Sequence, residues 1–170
     1  ALIQKHAEDS RAVATLARAQ ERDLRAWLYG DSAAAETTLA GALRAAAAEV
    51  EDTHGTPVEV VTVGDAAMTE EARPLVLAAR EAMVNAAKHA GADKIDVYAE
   101  TTADQVEVFV RDRGRGFDPG EVPEDRLGVR RSIVDRMQRH GGAASVRSAH
   151  GDGTEVRLSM PLPHRTEESR

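Results

Sequence analysis

The chain has 170 residues, a formal net charge of −7, no cysteine, and only one Trp, two Tyr and two Phe. That length suits one domain with a small appendage and a sizeable core, and the acidic, aromatic-poor composition argues against a nucleic-acid partner bound through phosphates or stacked bases. The absence of cysteine excludes disulfides, thiolate zinc sites and cysteine nucleophiles, and no run approaches the roughly 18 apolar residues of a membrane span. A soluble, cytoplasmic chain without membrane contact is therefore expected, as the cytoplasmic part of an anchored protein or otherwise.

The chain opens on Ala1-Leu2-Ile3 without Met or a helix cap, which suggests a piece of a longer protein. Residues 2–7 read as the end of one helix and Glu8-Asp9-Ser10 as a turn. Residues 10–29 predict a second helix, with Ser10 as cap, Val13, Leu16, Ala17, Leu24, Trp27 and Leu28 recurring at three and four, and Gly30-Asp31-Ser32 as stop. Residues 1–33 thus predict a helical hairpin. Its apolar stripe lies on the adjoining domain or faces a second copy, and covers too few heptads to define a coiled coil.

From residue 34 the pattern changes, and a second domain is expected over residues 34–162, followed by a loose polar tail at 163–170. An Ala-rich helix over 35–53 ends at His54-Gly55, and 57–63 reads as a strand whose Val58, Val60 and Val61 suit a buried sheet. Thr69 is the expected cap of a helix running to His89, with Glu70 and Glu71 complementing its dipole and Gly91 ending it. Strands at 94–100 and 105–111 alternate Ile95/Val97 and Val106/Val108/Val110 and form a hairpin. A glycine-rich acidic loop at 112–126 leads to a helix over about 127–140. Gly141-Gly142 and a second hairpin follow, 143–148 with 154–160, turned by His150-Gly151-Asp152-Gly153. The expected fold class is an α/β (α+β) two-layer sandwich, a mixed and mostly antiparallel sheet with helices on one face.

Chemistry concentrates in three places. Glu81 and Asn85 stand four apart, and Lys88 and His89 continue that face one turn on, so the four can converge on one ligand. An Asn85 oxygen suits Mg²⁺, which keeps several waters and takes few protein ligands, and Glu81 would orient one of those waters. Asp112-Arg113-Gly114-Arg115-Gly116 ends a buried strand with a carboxylate able to accept from an exocyclic amine, followed by glycines that let the chain turn and a ligand approach. Gly128 is read at the start of a helix, where free N–H groups and Arg126, Arg130 and Arg131 can hold phosphate. Singly, each has an ordinary structural explanation: a capped surface helix, a tight turn, a common helix start. The histidines show no metal-ligand spacing, so no zinc site is expected.

In this order, E-x-x-x-N on a helix, D-x-G-x-G after a hairpin, a loop, a glycine near a helix start and G-x-G-T at 151–154 resemble the ATP-binding domain of the GHKL ATPases, specifically the sensor histidine kinases of two-component systems. Residues 81–89 resemble the N box, 112–116 the first glycine box, 127–130 the second and 151–154 the third. The resemblance covers about residues 35–162, and with a helical hairpin upstream it is similar to the kinases paired with helix-turn-helix response regulators. It implies a Bergerat-type ATP-binding fold, ATP and Mg²⁺ as cofactors, and transfer of the γ-phosphoryl group to a histidine on the dimerisation hairpin, for relay to the aspartate of a response regulator's receiver domain. By the same resemblance Asn85 holds the metal, Glu81 supports its hydration, and Lys88, His89 and Gly128 lie on the phosphate side. Asp112 binds the adenine amine, Gly114 and Gly116 shape the pocket, Thr154 helps with the base through its hydroxyl or a water, Gly153 belongs to the ATP-binding residues, and residues 117–127 form a mobile lid. Two departures stand out: the second box carries one glycine, Gly128, and His6 is followed by Ala7 instead of an acid, so the phosphoacceptor is expected upstream of residue 1. The alternatives are a degenerate nucleotide-binding or dimerisation scaffold without turnover, and an anti-sigma-type protein-serine kinase of the same superfamily, against which the long hairpin speaks.

Overall fold

The computed structural model describes residues 37–121 and 124–163, together with residues 13, 14, 16, 17, 20 and 21, which are helical. Most of the expected hairpin over 1–33, His6 and the tail beyond residue 163 lie outside the described residues. Within them the order is α1 (Leu39–His54), β1 (Val58–Val63), α2 (Arg73–His89), β2 (Ile95–Thr101), β3 (Gln105–Asp112), α3 (Glu124–Arg139), β4 (Ala143–Ala149) and β5 (Gly153–Pro161).

Local chemistry sets the helix ends. Thr38 caps α1, its Oγ1 accepting the Gly41 N–H at 3.1 Å, and Asp65 accepts the Ala40 N–H at 3.0 Å. Gly55 closes α1 at φ +70°, its N–H returning to the Glu51 carbonyl. The second helix starts later than its sequence suggests. Thr69 caps a preliminary turn, its hydroxyl accepting from Ala72 N–H at 3.3 Å, and the helix proper begins at Arg73, where Pro74 suits a first turn because it has no N–H to leave unpaired. The third helix starts earlier than expected, at Glu124 and not near Leu127. Pro123-Glu124-Asp125 has the residue types of a helix start. Gly128 is therefore the fifth residue of α3, past the free N–H groups of the first turn, its amide belonging to the helix's own ladder.

The sheet order is β1-β2-β3-β5-β4. β1 and β2 are parallel because α2 crosses between them, and the other pairs are antiparallel. Ile95, Val97, Ala99, Val106, Val108, Val110, Val156, Leu158 and Met160 make one apolar face, joined in a single core to Leu39, Leu43 and Val50 of α1, Leu75 and Met83 of α2, and Ile133 and Met137 of α3. Small residues at the α1–α2 seam, Ala46, Ala47, Ala78 and Ala79, let those helices approach closely. Leu43 and Leu158 are fully buried, and truncation of either to Ala would cost about 2–5 kcal/mol. The helices cover one face only. Val61 and Val63 consequently stay half exposed on edge strand β1, against the expectation that Val61 is buried. On the same open face Tyr98 and Phe109 pair across strands at 6.2 Å, with Arg157 over the Phe109 ring.

Candidate functional site

Where β3 ends and β5 begins, α2 and α3 flank a cleft of about 680 Å³, part of it open to solvent. Asn85 and His89 of α2, Asp112 of β3, Thr154 of β5 and Arg130 of α3 supply its polar lining, and Ala82, Ala86, Val110, Ile133, Val146 and Val156 its apolar walls.

Asp112 is fixed by register. As the last residue of β3 it stands opposite Thr154 on β5, with its side chain on the helix-covered face like Val108 and Val110, and only 3% of it is exposed. Burial pushes its carboxyl pKa up, while the backbone N–H groups of Gly114, at 2.9 Å, and of Thr154 act in the opposite direction. The result is a buried carboxyl group held by two amides in the lining of the cleft.

The glycines around it are dictated by close approach. A Cβ on Gly114 would collide with the Ala90 carbonyl oxygen. Gly116, at φ +60°, would drive one into the Ala149 carbonyl, and Gly153, at φ +77°, into that of Asp112. The segment is stitched on both sides: Arg115 N–H donates to Ala90 O at 2.9 Å, and Gly151 N–H to Arg115 O at 2.7 Å. Ser148 joins three pieces of chain. Its hydroxyl oxygen accepts from Phe117 N–H at 2.9 Å, its proton goes to Gly153 O at 2.9 Å, and it lies 2.8 Å from Thr154 Oγ1. Since the Ser148 proton is committed, Thr154 is the donor of that last bond. Its own oxygen is left with lone pairs, so Thr154 presents an acceptor to the cleft.

Helix α2 divides the residues that the sequence put on one face. At about 100° per residue, Ala82, Asn85, Ala86 and His89 form a continuous cleft-facing strip. Glu81 and Lys88 fall on its flank and do not line the cleft. Glu81 instead pairs with Arg136 of α3, Oε2 to Nη1, at 3.0 Å, and Lys88 is exposed to solvent. His89 stands at the mouth, its carbonyl accepting from Arg115 Nη2 at 3.3 Å. Of the expected site residues, Asn85, His89, Asp112, Gly116 and Thr154 line one cleft, and Gly114 and Gly153 shape it from behind. Gly128 is exposed, with nothing near its missing Cβ.

Ser148 and Phe117 carry no signal in the sequence beyond a polar strand end and an aromatic in a loop. Arg130, named above for its charge, lines the cleft one turn before Ile133 on α3. Among the described residues no group of three or more His, Asp or Glu is arranged to hold a metal ion. A cation here must take most of its shell from ligand and water, which fits the single amide oxygen of Asn85 and the chemistry of Mg²⁺.

A family described as "Histidine kinase-, DNA gyrase B-, and HSP90-like ATPase" matches residues 70–164. The sensor histidine kinase LiaS of Bacillus subtilis (strain 168) is 31% identical over 83 residues, 49% of this chain and 23% of that protein. The signal transduction histidine-protein kinase/phosphatase DegS of the same organism is 34% identical over 90 residues, 49% of this chain and 22% of DegS. The chain thus matches less than a quarter of the length of these relatives. Among solved structures, the histidine kinase domain of the Erythrobacter litoralis EL346 blue-light activated kinase superposes with a TM-score of 0.53 at 27% identity, covering 71% of this chain and 59% of that one. The ATP binding domain of PrrB from Mycobacterium tuberculosis does so with a TM-score of 0.51 at 26% identity, covering 72% and 92%.

Proposed function

The chain belongs to the histidine kinase-, DNA gyrase B- and HSP90-like ATPase family and contains the ATP-binding catalytic domain of a sensor histidine kinase; from that premise we propose that it binds Mg-ATP in the cleft between α2 and α3 and delivers the γ-phosphoryl group to a histidine upstream of residue 1. The observation that carries this reading is the buried Asp112 carboxylate in the same cleft as the Asn85 amide.

Asp112 accepts from the exocyclic amine of adenine, and Thr154 supplies a second acceptor to that edge or to a water beside it. The apolar walls, Val110, Ile133, Val146 and Val156, take the flat faces of the base. Gly114, Gly116 and Gly153 keep the backbone clear of the ring. The phosphates run toward the cleft mouth, past Asn85 and His89 and toward Arg130, with Lys88 close by on the flank. Asn85 would give an oxygen to Mg²⁺, which when bound would supply positive charge to offset that of the phosphates. Glu81, on the flank one turn before Asn85, would orient a water of that shell, with Arg136 as its partner on the other side. Of the expected lid over 117–127, residues 124–127 form the first turn of α3, and the part before them would close over the nucleotide and limit hydrolysis. The second glycine box contributes through the early turns of α3, with Arg130 as its cation and Gly128 as a point where no side chain stands in the way.

LiaS and DegS are named histidine kinases. By analogy we assign this chain a response regulator as the recipient of phosphate, dimerisation through the hairpin of residues 1–33 in the full-length protein, and a cytoplasmic position for the catalytic domain. No helix among the described residues is long and apolar enough to cross a membrane.

The test is a calorimetric titration with ATP and GTP, each with and without Mg²⁺, repeated on Asp112→Asn and Asn85→Ala. Preference for ATP that disappears with Asp112→Asn, and Mg²⁺ enhancement that disappears with Asn85→Ala, is the expected pattern. Equal affinity for both purines in the unsubstituted chain would overturn the assignment.

A further inference from the structure

Glu81, a proposed reaction residue, pairs with Arg136 and does not line the cleft. Glu81 and Asn85 are one turn apart on α2, yet only Asn85 lines the cleft. The Glu81 side chain is 25% exposed, and Arg136 Nη1, itself on a side chain 33% exposed, stands 3.0 Å from Oε2. Arg136 follows Arg130 and Ile133 on α3, both of which line the opposite wall of the same cleft. The pair therefore ties the two walls together beside the site. Ion pairs this accessible contribute little to stability, and the α2–α3 contact already has Ala82, Met83, Ile133 and Met137 in the buried core. Holding the helices together is a weak reason for the pair. Fixing a carboxylate is a stronger one: a glutamate on a helix flank has three rotatable bonds, and a planar guanidinium anchored on the next helix removes most of that freedom.

We propose that Arg136 is a positioning residue for phosphoryl transfer: it holds the Glu81 carboxylate at one place on the flank of α2, a turn from Asn85, and so sets turnover without touching the nucleotide. The proposal rests on the phosphotransfer reading given above. It follows that α3, whose Arg130 and Ile133 line the cleft, carries the arrangement of Glu81 with it. Displacement of α3 by a few tenths of an ångström moves the carboxylate and leaves Asp112 and Thr154, which belong to the sheet, where they are.

The experiment uses the full-length protein with Mg-ATP and compares Arg136→Met, which keeps the aliphatic stem, with Arg136→Lys, Glu81→Gln and the double variant Glu81→Gln/Arg136→Met. Autophosphorylation rate and ATP affinity are measured for each, with thermal unfolding as a check on folding. Arg136→Met is expected to slow phosphorylation about tenfold or more with ATP affinity unchanged, and Arg136→Lys to recover part of the rate. In the Glu81→Gln background Arg136→Met should add nothing, because both act through one carboxylate. An equal loss from Arg136→Met in both backgrounds would overturn the proposal, as would a parallel loss of ATP affinity or a gain in rate. If the unsubstituted protein binds ATP but transfers nothing to histidine, the phosphotransfer reading falls and this one with it. If it is active and Arg136→Met matches it, only this one falls.

Discussion

Gly116 and Gly128 belong to the two ends of the proposed nucleotide site, and their surroundings differ completely. Gly116 sits at φ +60° with the Ala149 carbonyl where a Cβ would go, in a segment stitched to the end of α2 and to the β4–β5 turn. Gly128 lies exposed inside α3 with open space around it. The same contrast separates Asp112, buried and held by two amides, from Lys88 and His89, exposed basic side chains on the last turn of α2. The base end is specified by backbone and sheet register before any ligand arrives. The phosphate end is a set of charges whose arrangement awaits one.

Substitutions from opposite ends put that contrast at risk. The largest effect is expected from Gly116→Ala: forced strain and a carbonyl clash should cost about 3 kcal/mol of stability and remove ATP binding, read by chemical denaturation and calorimetry. Retention of both would show that the base end is as adaptable as the phosphate end. Next is Asp112→Asn, which should weaken ATP about 10–100-fold through loss of a charge-assisted hydrogen bond. Stability of the ligand-free chain should hold or rise, since a buried anion is removed.

The same carboxyl gives opposite pH trends for binding and folding. Its pKa is raised in the folded chain, so the native state keeps the proton longer than the unfolded one, and this group's contribution to stability is lost as pH rises through the folded value. Adenosine affinity should run the other way, falling as pH drops through that value and the acceptor is protonated; adenosine keeps phosphate ionisation out of the titration. Asn85→Ala comes next, expected to erase the difference in ATP affinity with and without Mg²⁺ while leaving adenosine binding intact. The smallest effect, and of reversed sign, is Gly128→Ala. In an exposed helix interior it should raise stability by up to about 1 kcal/mol, seen as a higher unfolding midpoint, with ATP affinity little changed. A large loss of ATP affinity from this change would give the second glycine box a tighter role than the structure suggests.

These differences also explain what was legible in the sequence. Strand alternation at Ile95/Val97 and Val106/Val108/Val110 marks the buried face directly, so the sheet and the position of Asp112 at its end could be read in advance. Gly114 and Gly116 were readable as glycines of a tight turn after the strand and Gly153 through the resemblance, whereas the carbonyls that exclude a Cβ at each are visible only in the fold. Helix starts were harder. Thr69 is a good cap and does cap a turn, but Pro74 moves the helix start downstream, and the glycine at 128 drew attention from the better start at Glu124. The face of α2 was read too broadly. Spacing alone put Glu81 and Lys88 with Asn85 and His89, whereas the angular width of the cleft admits only the last two. Nothing in the sequence pairs Glu81 with Arg136, a contact across 55 residues that only the packing of α2 on α3 creates.

The hydroxyl arrangement around Ser148 has a consequence for choice of ligand. With the Thr154 proton turned toward Ser148, the Thr154 oxygen and the Asp112 carboxyl stand side by side as acceptors when that carboxyl is ionised. On the proposed placement of the base, guanine would bring a carbonyl oxygen to the position of adenine's amine and meet lone pairs there, so the arrangement works against GTP. Protonated Asp112 would turn from acceptor to donor, and the margin between the two purines should narrow in acid.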